Sequence, residues 1–150
     1  MIRFVTNKDI DQWLELAKEV EALFGDMAGI PEFRDAISEC INASSALCVT
    51  HTDNEVAGII ALSKEKNEIE WLTVKNKYRG RGYGNALLDA AIKHLDSTKP
   101  IYVQTFSSHV ESGKPARQLY LHFGFKDYKD GGKNPADIDT TIMVLDKAEK

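Results

Sequence analysis

The stretch that decides the fold of this chain is Val74-Lys75-Asn76-Lys77-Tyr78-Arg79-Gly80-Arg81-Gly82-Tyr83-Gly84-Asn85. It places three glycines at alternate positions among basic side chains, and such a backbone can approach phosphate oxygens without interference from Cβ atoms. If a helix begins at its end, the free N–H groups of the first helical turn add a partial positive charge. The stretch therefore predicts a loop that binds a pyrophosphate, with a solvated tight turn as the plainer alternative.

The residues on both sides of this loop support the prediction, since a glycine-rich loop is informative only between a strand and a helix. Before the loop, residues 68–74 alternate with the period of a strand, which predicts Ile69, Trp71 and Thr73 on one face. After it, apolar side chains recur at helical spacing from residue 87 to residue 95. The loop lacks the Gly-Lys-Ser/Thr ending of nucleoside triphosphatases and the glycine spacing of dinucleotide-binding loops.

Composition excludes several classes of protein. The 150 residues include 19 basic and 23 acidic side chains, and the net charge of −4 argues against a nucleic-acid partner. The two cysteines, Cys40 and Cys48, do not form a Cys-x-x-Cys motif, so neither a metal site nor a disulfide framework is expected. No apolar run approaches the roughly twenty residues that span a bilayer. We expect one cytoplasmic domain with no membrane partner.

The pattern along the chain predicts a single α/β domain with the element order βααβββαβαββ. A polar turn at residues 51–54, which includes His51, joins two of the strands as a hairpin. The predicted strands cover residues 2–6, 46–50, 56–62, 69–74, 101–106, 125–128 and 140–145. The predicted helices cover residues 10–24, a segment that begins at Pro31, the segment after the glycine loop, and residues 115–122.

Two motifs resemble the GNAT superfamily of acyl-CoA-dependent N-acetyltransferases. The family signature Arg/Gln-x-x-Gly-x-Gly/Ala is matched by Arg79, Gly82 and Gly84, and residues 116–125 are similar to its Ala-x-x-Leu-Tyr-x-x-x-Gly-Phe segment. The resemblance implies a central mixed β-sheet flanked by helices and splayed to admit a pantetheine arm. It implies acetyl-CoA as the acyl donor and requires no metal.

The resemblance also implies which residues hold the acyl donor. The bulged strand before the loop would pair with pantetheine through its backbone, and the loop amides would bind the pyrophosphate. These residues are Leu72, Thr73, Val74, Arg79, Gly80, Arg81, Gly82, Tyr83, Gly84 and Asn85. The chain departs from the family where Gly113 stands in place of an asparagine that contacts the cofactor, and Lys114 could supply charge there instead.

Attack of an amine on a thioester needs a proton acceptor, an oxyanion donor and an acid for the thiolate. The resemblance gives the acid role to Tyr120, whose hydroxyl has an ordinary pKa of about 10 and stays protonated at neutral pH. A glutamate on the strand before the loop is the base in some members, which indicates Glu68 or Glu70, with Glu68 favoured by register. The alternative interpretations are a core tyrosine and solvated carboxylates.

The sequence thus predicts an N-acetyltransferase that moves the acetyl group of acetyl-CoA directly to a primary amine. The acceptor is left open between a small-molecule amine and a protein or peptide amine. A non-catalytic acyl-CoA-binding module is the alternative from another class, and Tyr120 argues against it. A monomer and a homodimer are both compatible with the sequence.

Overall fold

Seven strands of the described residues form one mixed sheet in the computed structural model, which describes residues 1–25, 28–52 and 55–146. The strands are β1 (Ile2–Phe4), β2 (Ala46–Thr52), β3 (Glu55–Ser63), β4 (Glu68–Val74), β5 (Ile101–Phe106), β6 (Lys126–Lys133) and β7 (Asp139–Leu145). Their spatial order is β1-β2-β3-β4-β5-β7-β6. Neighbouring strands are antiparallel except β4 and β5, which are parallel. The predicted fold class is therefore confirmed.

Helices cover both faces of this sheet. They are α1 (Ile10–Glu19), α2 (Glu21–Phe24), α3 (Pro31–Asn42), α4 (Tyr83–His94) and α5 (Lys114–His122). The helix predicted over residues 10–24 is interrupted at Val20, where φ −107° and ψ 12° leave the helical region. Asp9 stabilises the start of α1. The Asp9 carboxylate accepts hydrogen bonds from the Thr6 N–H at 2.8 Å and from the Arg3 guanidinium at 2.7 Å. In the described residues, none of the helices is long and apolar enough to cross a bilayer.

The core has two parts, one on each face of the sheet. Side chains of α1 and α3, among them Trp13 and Ile37, pack on one face, and side chains of α4 and α5 pack on the other. Strand β3 lies between the two parts and is buried along residues 56–62. A strand covered on both faces is apolar along its length and does not alternate between polar and apolar residues. Residues 56–62 show this pattern in the sequence.

Strands β4 and β5 pair only at their beginnings. Glu68 aligns with Tyr102 and Ile69 with Val103, and the two strands separate beyond these residues. Phe24, the last residue of α2, lies in the fork, with its ring 5.6 Å from the ring of Trp71 on β4 and 5.3 Å from that of Phe106 on β5. The sheet is thus splayed at the position that the sequence resemblance implies.

A bulge in β4 changes the predicted faces of this strand. Trp71 aligns with Ala61 of β3 and Ile69 aligns with Leu62, so Glu70 is an extra residue without an opposite partner. Ile69 therefore packs in the α4 and α5 part of the core, whereas Trp71 packs on the α1 and α3 part. The prediction of one shared face for Ile69, Trp71 and Thr73 is wrong for Ile69, because the extra residue reverses the alternation.

Two predicted boundaries also change. His51 is not a turn residue, since it belongs to β2, and residues 53 and 54 of the predicted turn lie outside the described residues. The strand predicted over residues 125–128 extends to Lys133 because β6 pairs along β7 as far as Asp139. Positive φ at Gly132, 75°, accompanies a register shift in this ladder.

Helix α5 is fixed to the open end of the fork by a buried arginine. Arg117 is 7% exposed, and its guanidinium donates to the backbone oxygen of Phe106 at 3.2 Å and to the Asp127 carboxylate at 3.0 Å. One side chain thereby joins α5 to the end of β5 and the start of β6.

We expect Arg117→Ala to lower the free energy of unfolding by about 1–3 kcal/mol, because it leaves the Phe106 carbonyl without its partner and removes buried packing. Gln118→Ala, an exposed change on the same helix, should stay within about 0.5 kcal/mol of the wild type. Urea unfolding followed by circular dichroism measures both. Equal effects of the two substitutions would show that the arginine does not fix the helix.

Candidate functional site

A cavity of about 440 Å³ lies in the fork between β4 and β5. Its walls come from the end of β4, the glycine loop with the start of α4, the first half of α5, and α2 with Val20 before it. The predicted cofactor-binding residues all line it except Arg81. The residues that the sequence did not predict here are Val20, Leu23, Phe24, Tyr78, Phe106, Ser112, Pro115, Ala116 and Leu119.

The glycine loop leaves its backbone donors free. Gly80 and Gly82 have φ of 80° and 84°, and a Cβ at either would meet nothing within 4 Å, so conformation and not space requires glycine there. Helix α4 begins at Tyr83, two residues before the predicted start, with Gly82 as its N-cap. No backbone N–H from residue 80 to residue 85 donates a hydrogen bond within the described part of the chain. These donors can bind an anion.

The edge of β4 that faces the cavity is also unpaired. The Lys75 N–H donates to the Ala57 oxygen at 2.7 Å, and this bond together with the register shows which residues of β4 direct their backbone groups toward β3. The N–H and C=O groups of Thr73 point toward β3, and those of Leu72 and Val74 point away from β3. Within the described part of the chain, no strand pairs with β4 on that side beyond Ile69. The Val74 oxygen accepts the Arg79 Nε–H at 3.3 Å, and the N–H groups of Leu72 and Val74 remain available to a ligand.

Two side chains of the β2–β3 hairpin contact two aromatic side chains of the glycine loop, and we refer to the four as the loop brace: His51, Glu55, Tyr78 and Tyr83. The ring of His51 stacks on Tyr78 with 4.2 Å between centroids, and its Nδ1 is 2.8 Å from the Tyr83 hydroxyl. The Tyr78 hydroxyl donates to the Glu55 carboxylate, which Lys77 Nζ also approaches at 3.1 Å. The hydroxyl of Tyr78 and the ammonium group of Lys77 lower the pKa of Glu55 to about 2.

Sequence reasoning missed the loop brace. The aromatic residues at positions 78 and 83 of the loop were the available signal, but their partners come from a hairpin more than twenty residues away. Arg81, predicted as a phosphate contact, lies outside the cavity lining, with its guanidinium carbon 5.5 Å from the Tyr78 ring centroid.

Tyr120 lies in the core below the cavity. It is 4% exposed and packs edge-to-face on Phe125 with 5.6 Å between centroids, while Ala116 and Leu119 of the same helix line the cavity. Its hydroxyl makes no hydrogen bond within the described residues, and burial raises its pKa further above the ordinary value. The hydroxyl is thus protonated at neutral pH, and its role as the acid stays a prediction.

Neither predicted base lines the cavity. Glu68 is half-buried at the paired start of β4, and burial, followed by the charge of Glu70, raises its pKa. Glu70 is the exposed extra residue of the bulge. The assignment of either carboxylate as the base therefore remains a prediction from the resemblance, and it would require a water molecule to reach the cavity.

The departure from the family pattern at Gly113 has a steric reason. A Cβ on Gly113 would lie 2.2 Å from the Cβ of Phe106, so no side chain fits there while Phe106 lines the cavity. The Lys114 ammonium group is 2.8 Å from the Glu111 carboxylate in an exposed ion pair, and its contact with a phosphate stays a prediction. His109, which lies before α5, is exposed and pairs with Asp139 at 2.9 Å.

Comparisons with known proteins agree with this geometry. The sequence model of the acetyltransferase (GNAT) domain matches residues 18–146. No curated protein matches the chain.

Among the described residues, no group of three or more His, Cys, Asp or Glu side chains is arranged to hold a metal ion.

Solved structures share the fold over nearly the whole chain. A GNAT-family acetyltransferase from Bacillus cereus has a TM-score of 0.74 at 18% identity, covering 98% of this chain and 96% of its own. Ribosomal-protein-alanine N-acetyltransferase from Brucella melitensis has a TM-score of 0.76 at 18% identity, with coverage of 97% and 98%. The structure of yncA from Salmonella typhimurium with its cofactor acetyl-CoA has a TM-score of 0.75 at 19% identity, with coverage of 100% and 95%.

The lowered pKa of Glu55 gives the loop brace a pH dependence that can be measured. The Glu55 carboxylate is favoured in the folded state, so its stabilisation is complete above the ordinary pKa of 4.5 and is lost as the pH falls toward about 2. We expect Glu55→Ala to lower the free energy of unfolding at pH 7, and we expect this difference from wild type to narrow below about pH 4.5.

Urea unfolding at several pH values between 7 and 3 tests this expectation. Glu65→Ala, which removes an exposed carboxylate of the turn after β3, is the control and should follow the wild type throughout. A destabilisation by Glu55→Ala that is constant from pH 7 to pH 3 would contradict a role for the carboxylate charge.

Proposed function

The chain belongs to the GNAT acetyltransferase family, and on this premise we propose that it transfers the acetyl group of acetyl-CoA to a primary amine. One observation carries the proposal: the glycine loop with its free N–H groups, of which residues 80 and 82–85 line the cavity, and the unpaired edge of β4 border the same cavity. The first set suits a pyrophosphate and the second suits the amides of pantetheine. An apolar cavity between them would accept the linking chain.

The residues present fit each part of acetyl-CoA. The pyrophosphate would bind the amides of the loop and of the first turn of α4. Pantetheine would lie along β4 and hydrogen-bond to the backbone of Leu72 and Val74, as an added strand does. One of these two N–H groups would also donate to the thioester carbonyl oxygen, where negative charge develops during transfer.

In the proposed transfer, the nitrogen lone pair of the amine forms the new N–C bond, and the electrons of the C–S bond leave with sulfur. Tyr120, kept protonated by its burial, would donate a proton to that sulfur. The amine would lose a proton to Glu68 through water. The amine proton and the tyrosine proton are then exchanged through solvent, which restores the hydroxyl.

Direct transfer is favoured over a covalent intermediate by the positions of the two cysteines. Neither Cys40 nor Cys48 lines the cavity, and burial raises the pKa of the Cys48 thiol to about 11, which leaves no thiolate to attack an acyl group. Both thiols are free, as is usual in a reducing compartment, so we propose a cytoplasmic location.

The acceptor is the open part of this proposal. Structural neighbours of 18% identity include a ribosomal-protein-alanine N-acetyltransferase and the NatC complex bound to a Gag peptide and CoA, but at this identity only the fold is shared. A screen that detects release of free thiol from acetyl-CoA with glycinamide, phenylalaninamide and spermidine tests the function directly. Release that depends on an amine would support the enzyme. Binding of acetyl-CoA without release would indicate a non-catalytic module.

We expect Tyr120→Phe to lower kcat by about a hundredfold, because the leaving sulfur loses its proton donor. The dissociation constant for acetyl-CoA should stay within about twofold, since the residue lies below the cavity lining. Steady-state kinetics and isothermal titration calorimetry measure the two quantities. Leu121→Ala, an exposed change on the same helix, is the control. A variant with unchanged kcat would remove Tyr120 from the mechanism.

A further inference from the structure

Thr73 lines the cavity, and its hydroxyl has no hydrogen-bond partner among the described residues. Its side chain is 5% exposed, and its Oγ1 is buried without a hydrogen-bond partner. Burying a hydroxyl in this way costs about 1–3 kcal/mol, and native proteins rarely leave one unpaired without a functional reason. Among the described residues, Trp13 and Trp71 also have unpartnered buried nitrogens, but neither of them lines the cavity.

The hydroxyl lies on a defined face of the fork. Beyond the bulge, β4 alternates regularly, so Thr73 shares the face of Trp71, which is covered by α1 and α3. Leu72 and Val74 point to the opposite face and pack on the α4 and α5 part of the core. On the Thr73 face, the cavity extends to Val20, Leu23 and Phe24.

This face is where an amine can reach the acyl group. A thioester carbonyl that accepts the N–H of Leu72 or Val74 lies close to the plane of the sheet, as a carbonyl of a neighbouring strand would. A nucleophile attacks a carbonyl carbon from above or below the carbonyl plane, with its lone pair aligned. On the opposite face the cavity is lined by residues at the start of α4 and in α5, which is where the loop amides would hold the acyl donor. The face of Thr73 is the one that this donor would leave free for the amine.

We propose that the hydroxyl of Thr73, turned into the cavity by rotation about its Cα–Cβ bond, accepts a hydrogen bond from the acceptor amine and turns the lone pair of that amine toward the thioester carbon. The inference rests on the proposed acetyl transfer and adds a residue that contacts the acceptor. The backbone N–H and oxygen of Thr73 pair with β3, so Thr73 contributes to the site through its side chain and not through its backbone. The sequence resemblance had assigned this position only to the backbone that holds pantetheine.

The test compares Thr73→Val, which keeps the shape and removes the hydroxyl, with Thr73→Ser, which keeps the hydroxyl. For the best acceptor among glycinamide, phenylalaninamide and spermidine, we expect Thr73→Val to lower kcat/KM by about tenfold or more. Thr73→Ser should retain kcat/KM within about threefold. The dissociation constant for acetyl-CoA should stay within about twofold in both, because the backbone contacts are unchanged. Thr50→Val on β2, outside the cavity lining, is the matched control.

A second readout separates this inference from the function on which it rests. Phenylalaninamide is titrated calorimetrically into protein saturated with CoA, and Thr73→Val should weaken its binding about tenfold. Unchanged kinetics and unchanged amine binding in Thr73→Val, with the wild type active, would overturn the role of Thr73 alone. An increase in the dissociation constant for acetyl-CoA would also overturn it. Failure of the wild type to acetylate any of the three amines would overturn the proposed function, and this inference with it.

Discussion

The site depends on one structural constraint, the separation of two parallel strands after only two aligned residue pairs. Strands β4 and β5 are neighbours in the sheet at Glu68 and Ile69 and are no longer paired beyond them. Each strand therefore presents an unpaired edge inside the molecule. In most proteins a helix or a loop covers such an edge. The ring of Phe24 packs between Trp71 and Phe106 and keeps the two strands apart. Phe106 in turn excludes any side chain at position 113, so the fork and the start of α5 are fixed together.

Polar groups without a partner support the proposed ligand. Folded proteins pair nearly all their buried donors and acceptors, and among the described residues three kinds of polar group around one cavity have no partner in the protein, the first of them on the exposed glycine loop. They are the loop amides of residues 80–85, the N–H groups of Leu72 and Val74, and the hydroxyl of Thr73. Each kind suits a different part of a ligand. The loop amides at the start of α4 suit an anion, the edge of β4 suits an added strand, and the hydroxyl lies on the face covered by α1 and α3. A long ligand with a phosphate at one end satisfies this order.

The sequence predicted what is encoded locally. The glycine loop, the helix after it and the order of the strands follow from short patterns, and the structure contains them near the predicted bounds. The resemblance implied a bulge in β4, but its place at Glu70 could not be predicted because it is set by the alignment of β4 with β3, which is a tertiary property. The same holds for His51 and Glu55, whose role depends on their contacts with Tyr83 and Tyr78. Catalytic roles for Tyr120, Glu68 and Glu70 come from the resemblance, and their positions outside the cavity lining leave those roles to experiment.

Binding of acetyl-CoA is the central claim, and thermal unfolding with acetyl-CoA, adenosine or adenosine triphosphate added separately tests it most directly. A ligand at a hundred times its dissociation constant that binds only the folded state adds about 2.7 kcal/mol, which corresponds to a rise of about 5–10 °C at this size. We predict a rise of this magnitude with acetyl-CoA, a smaller rise with adenosine triphosphate and none with adenosine, because neither control carries the pantetheine that the edge of β4 would bind. An unchanged midpoint at millimolar acetyl-CoA, or equal rises with acetyl-CoA and adenosine triphosphate, would contradict the account.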